Sequence, residues 1–270
     1  MDDKLIVVYV AWIPAEIVSS NDMSDSSRNS VPPLSAASRA PKTWDFMETT
    51  FVALIAYAVF GLTAGLVVTV ILLRHYGLAE LSPAQYQALA MNGHWYGVAM
   101  IIAFLPTLAV LWVAIRKAGR DFTEYLALNW PSRNELLLAF AVTAAFIIAE
   151  SAFFSSAPTV NSPYIVGGAG GLFVFLVGGC LAGPIMEELV FRGFMFRGWS
   201  ESFLGPIGAI VLTSALFGMY HTQYDWPERF WIFLSGLVLC TFRWRTNSTS
   251  LAVVIHSAMN TYVFFLSRYV

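Results

Sequence analysis

Residues 171–196, GLFVFLVGGCLAGPIMEELVFRGFMF, are apolar almost throughout, yet they hold Glu187, Glu188 and Arg192. A helix needs about 20 apolar residues to cross a bilayer core of about 30 Å, and this stretch supplies them. An ionisable side chain inside such a span costs about 2.5–3.5 kcal/mol on insertion scales. A chain that keeps charges there turns them toward the bundle interior and gives them a task.

The rest of the sequence has the same character. Of 270 residues, 57% are hydrophobic and 12% charged, where a soluble domain carries about 25% charge. These values predict an all-α, polytopic membrane bundle. Seven spans are expected, at about 51–73, 95–115, 135–154, 171–196, 206–221, 229–243 and 250–267. The fifth and sixth are short for a full crossing, so tilt, breakage or burial in the bundle is expected there. The net charge of −2 speaks against nucleic acid as a partner and leaves the lipid bilayer as the obvious one. Cys180 and Cys240 both lie in apolar spans and read as small packed residues, with no disulfide framework.

Residues 1–48 read as a leader. Its part 20–45 is rich in Ser, Pro and Asn without periodicity, the signature of disorder, and Met23 or Met47 is a candidate translation start. Residues 49–270 then form one membrane domain. Lys and Arg collect in the leader (Arg28, Arg39, Lys42), in the second connection (Arg116, Lys117, Arg120, Arg133), at Arg197, and at Arg243 and Arg245. Seven crossings with a cytoplasmic N-terminus put all of these on the cytoplasmic side, against Arg74, Arg229 and Arg268 on the other. The Glu pair then lies near the cytoplasmic face. Gly61 with Gly65, and Gly179 with Gly183, mark possible close helix contacts. GGAGG at 167–171 reads as a turn into the fourth span.

The polar residues of the later spans are few and therefore informative. Glu188 and Arg192 stand four apart on one helix face, acid first, the orientation that favours an ion pair. Glu187 is rotated by about 100° and is left without that partner. Phe217 and His221 are again four apart, as are His256 and Asn260. Two chemistries suit this set. A desolvated Glu187 can act as general base toward water, with imidazole and amide donors for the oxyanion. Alternatively Glu187, His221 and His256 can hold zinc with one position open for water, although no HExxH is present. A non-catalytic peptide binder and a proton relay are the rival classes, and the relay lacks an evident internal repeat.

Glu187-Glu188…Arg192, Phe217…His221 and His256…Asn260, in that order and at membrane depth, resemble the signatures of the CPBP family of intramembrane proteases. That family includes the CaaX prenyl endopeptidases and bacterial proteins linked to bacteriocin processing and self-immunity. The resemblance covers about residues 135–267. It implies an intramembrane endopeptidase in a bacterial inner or plasma membrane, built as a helical bundle around a polar cavity and acting on a peptide or protein substrate at the membrane. It assigns Glu187 to water activation with His221 beside it, His256 and Asn260 to the oxyanion, and Glu188, Arg192 and Phe217 to support. It favours a glutamate mechanism without cofactor over zinc. An immunity or binding protein of the same fold is the alternative it leaves.

Overall fold

A computed structural model describes residues 44–77, 82, 92–154 and 167–269. Residues 1–43 of the expected leader, and most of the connection between the third and fourth spans, lie outside these. The described residues form helices: α1 Phe46–Tyr76, α2 Gly93–Lys117, α3 Phe122–Tyr125, α4 Arg133–Phe154, α5 Gly168–Ser200, α6 Gly205–Tyr220, α7 Trp226–Thr246 and α8 Thr249–Tyr269. Extended pairing among them is confined to one isolated bridge, Leu128 with Ser248.

Five of these helices, α1, α2, α4, α5 and the first part of α8, are long and apolar enough to cross a membrane. Of the seven expected spans, the fifth and sixth fall below that standard. α6 has 16 residues, about 24 Å of helix against a core of about 30 Å. α7 is long enough but carries Glu228, Arg229, Arg243 and Arg245. The chain is an all-α polytopic membrane bundle.

α1 begins earlier than the apolar run suggests because Asp45 and Glu48 form a reciprocal capping box. α5 is the most enclosed of the five crossing-length helices and α4 the least. α5 is not one regular α-helix: π-helical segments Gly178–Ala182 and Leu189–Met195 flank the α-helical turn Gly183–Glu188. Each π segment changes the angular register, so the Glu pair is aimed separately from the residues on either side. Such insertions concentrate at functional sites.

α2 and α5 touch backbone to backbone. A Cβ at Gly178 would lie 2.2–2.6 Å from the backbone of Gly97, and one at Gly97 2.4 Å from the carbonyl oxygen of Val174. The close approach therefore falls at Gly97 and Gly178. Gly61 and Gly65 face open space, and a Cβ at Gly183 would meet only its own helix. At the GGAGG turn, Gly168 has a φ of +64°, which a side chain would strain.

One end of the bundle is tied together by polar contacts. Trp199 Nε1 donates to the Phe46 carbonyl and to Thr50 Oγ1, joining the end of α5 to the start of α1. Arg197 reaches Glu124 at 3.2 Å, and Glu124 also takes Arg120 at 2.7 Å. Thr249 bonds through N–H and Oγ1 to the Ala127 and Leu126 carbonyls. Arg120, Arg197 and Arg243 thus gather at the end where the charge pattern groups them. Arg243 is buried there, donating to Asn247 Oδ1 at 3.0 Å and resting on Phe196. Arg229, which goes against the charge pattern, donates to the Tyr224 and Thr222 carbonyls and so fastens the turn after His221.

Candidate active site

The α-helical turn between the two π segments carries both carboxylates, and they enter different surroundings. Glu188 is fully buried, as is Arg192, and Arg192 Nη1 donates to Glu188 Oε1 at 2.8 Å. His256 of α8 donates from Nδ1 to the same oxygen, also at 2.8 Å. A desolvated charge is tolerated only when paired and hydrogen-bonded, and Glu188 has both conditions met at Oε1. The other polar atoms of the pair, Glu188 Oε2 and Arg192 Nε and Nη2, are buried without hydrogen-bond partners. The guanidinium is compensated by stacking: its Cζ lies 4.2 Å from the centroid of the Phe217 ring and 5.7 Å from that of Phe191.

Glu187 is the freer acid, with its side chain 18% exposed. The bond of His256 Nδ1 to Glu188 turns Nε2 toward Glu187, whose Oε2 lies 3.8 Å away. That is too long for a direct hydrogen bond. The histidine that approaches Glu187 within ion-pair range is therefore His256. Glu187 also acts electrostatically on His221, Tyr57, Tyr220 and Tyr224.

His221 caps the C-terminal end of α6 and leaves the helix with φ −77° and ψ 59°. Its Nδ1 lies 2.7 Å from the Phe217 carbonyl. A carbonyl only accepts, so Nδ1 carries the hydrogen and Nε2 of the neutral ring is left as the basic nitrogen. The ring stacks on Tyr224 and meets Phe217 edge-on. Phe217 is the common neighbour, touching Arg192, His221, His256 and Phe191.

Asn260 sits one turn beyond His256, and its Nδ2 donates to the Gly179 carbonyl at 3.4 Å, at the first π segment. Among the described residues no three His, Cys, Asp or Glu side chains stand close enough together to hold a metal ion. All seven residues singled out in the sequence fall in one region, and three tyrosines that no motif marks fall there with them.

Residues 169–262 match the family described as type II CAAX prenyl endopeptidase Rce1-like. The match contains Glu187, Glu188, Arg192, Phe217, His221, His256 and Asn260. The motif core of this chain is thus similar to that family, over a stretch shorter than half of the chain. A curated relative, UPF0177 protein YbdI of Lactococcus lactis subsp. lactis (strain IL1403), is 32% identical over 88 residues, 33% of this chain and 45% of that protein. The match thus spans less than half of that relative's length. No solved structure matches the chain.

The Rce1-like segment runs from the start of α5 into α8, while α1, which packs on the π segment Leu189–Met195 just after the Glu pair, lies outside it. Tyr57 comes from α1 and packs against Phe191 and Tyr220. Away from the Rce1-like polar cluster, an open groove of about 810 Å³ runs between α5 and α8, lined by Leu176, Cys180, Leu181, Thr261 and Phe265 among others. It is apolar, and the catalytic candidates do not line it.

Proposed function

We propose that the chain is an intramembrane endopeptidase that hydrolyses a peptide bond near the cytoplasmic membrane face, without a cofactor. The observation that carries this reading is the division between adjacent carboxylates. Glu188 is locked by Arg192 and His256, while Glu187 is partly open and faces His256 Nε2 across a 3.8 Å gap. A lone structural ion pair needs one acid; the second has no structural partner of that strength.

In the proposed reaction Glu187 takes a proton from water, and the resulting hydroxide attacks the scissile carbonyl carbon. His221 Nε2 orients that water. The carbonyl oxygen becomes an oxyanion, with His256 and Asn260 as donors toward it. The C–N bond then breaks as Glu187 returns its proton to the leaving amine, giving one carboxylic acid and one amine product. Phe217 and Arg192 hold the imidazoles and Glu188 in register. The substrate is a peptide or protein reached at the membrane, and the N-terminus faces the cytoplasm of a bacterial inner or plasma membrane. Residues 49–270 form the functional domain.

Peptide termini in membranes from cells expressing wild type or Glu187→Gln at equal levels test this reading. Termini that only wild type produces support it; identical termini with a retained cellular phenotype support a binder of the same fold. A chelator arm on the same membranes decides between water activated by Glu187 alone and zinc held by Glu187, His221 and His256.

A further inference from the structure

The candidate site is short of neutral hydrogen-bond donors. Peptide hydrolysis places negative charge on the carbonyl oxygen, and donors aimed at that oxygen lower the barrier. His256 commits its Nδ1 hydrogen to Glu188, and His221 commits its own to the Phe217 carbonyl. Each ring has a second N–H to give only when it carries a second proton. Asn260 directs one amide N–H to the Gly179 carbonyl and keeps the other for the oxyanion.

Tyr57 offers a further neutral donor. Its hydroxyl is buried and has no hydrogen-bond partner, a state that buried polar groups avoid unless a ligand completes them. Its ring is held 5.4 Å from Phe191, which lies between Glu188 and Arg192, and 4.9 Å from Tyr220, the residue before His221. The hydroxyl feels the charges of Glu187, Arg192 and Glu188 together. Tyr220, by contrast, is 45% exposed, and Tyr224 is stacked on His221.

We propose that the Tyr57 hydroxyl donates a hydrogen bond to the scissile carbonyl oxygen as it becomes the oxyanion. The O–H bond stays intact throughout, and Glu187 alone carries the transferred proton. This rests on the endopeptidase reading. It also makes α1 part of the active site, although the Rce1-like segment begins well after it.

The test compares full-length wild type, Glu187→Gln and Tyr57→Phe in membranes at matched levels. The peptide spanning the most abundant cut that wild type makes then serves as kinetic substrate. Loss of the donor should lower kcat about 100-fold with KM and thermal midpoint unchanged. Incorporation of 3-fluorotyrosine at position 57, a more acidic phenol and a stronger donor, should restore the rate and carry it above that of wild type. A Tyr57→Phe kcat within twofold of wild type overturns the proposal and leaves the endopeptidase reading standing. If Tyr57→Phe loses its fold, the fluorinated protein decides: a kcat no different from wild type overturns the proposal. If wild type and Glu187→Gln yield the same termini, the endopeptidase reading falls and this proposal falls with it.

Discussion

Arg192 rests on the face of Phe217, its Cζ 4.2 Å from the ring centroid, with both side chains buried. The Phe of the Phe217…His221 pair is therefore the apolar floor of a guanidinium whose Nε and Nη2 have no hydrogen-bond partner. A desolvated cation–π contact of this kind contributes about 2 kcal/mol. Phe217→Leu keeps an apolar side chain and removes the ring. It should lower stability by about 2–3 kcal/mol and weaken activity through Arg192 and His221. Thermal unfolding in detergent, alongside cleavage rate, checks this.

Glu188 and Arg192 should behave as one unit. Glu188→Gln leaves a guanidinium buried without its counter-charge and should cost about 3–5 kcal/mol. The double variant Glu188→Met, Arg192→Met should be more stable than either single one, because no lone charge remains. Midpoints for the three proteins give the coupling directly. Glu187→Gln, by contrast, should leave the midpoint within about 0.5 kcal/mol of wild type.

The contact of α2 with α5 depends on two hydrogen atoms where other residues carry Cβ. Gly178→Ala would place a methyl 2.2 Å from the Gly97 carbonyl oxygen, so the helices must separate. The expected loss is about 1–3 kcal/mol, with activity falling as the π segment shifts. Gly61→Ala, in an open helical position, should be neutral or stabilising by about 0.5–1 kcal/mol. The unfolding midpoint should fall for Gly178→Ala and hold or rise for Gly61→Ala.

At the tied end of the bundle, the hydrogen bond from Arg120 holds the Glu124 carboxyl below its ordinary range, with Arg197 adding to the effect. A carboxyl lowered on folding stabilises the protein above its unfolded pKa, and that stabilisation is lost as pH falls through the lower folded value. Glu124 is half exposed, so the contribution is about 0–1 kcal/mol at neutral pH. Glu124→Gln should remove this step from the acid limb of a stability–pH curve and barely alter stability at pH 7 relative to that small amount.

Much of the site was legible because its logic is local. Glu188 with Arg192 and Phe217 with His221 are i,i+4 pairs, and helical spacing alone joins them. The apolar runs likewise announce the membrane bundle. Asp45 with Glu48 is also a local signal, a capping box that starts α1 inside the stretch assigned to the leader. What the sequence does not display is tertiary. The π segments arise from packing around α5, and no residue pattern marks them. Gly97 and Gly178 meet across 80 positions of chain, while Gly61 and Gly65, with the better spacing motif, meet nothing. Tyr57 belongs to no motif and gains its place only when α1 docks on Phe191 and Tyr220. Resemblance assigns His256 to the oxyanion, while its Nδ1 bond to Glu188 appears only when α8 packs against α5.

The central claim is that Glu187 does the chemistry while Glu188 holds the site. The most direct measurement is the set of new peptide termini in membranes carrying wild type or Glu187→Gln, at equal protein level and equal thermal midpoint. The expected result is a set of cuts that vanish completely with Glu187→Gln, a protein that is still folded. Cuts that persist at the wild-type rate in that variant would contradict the claim.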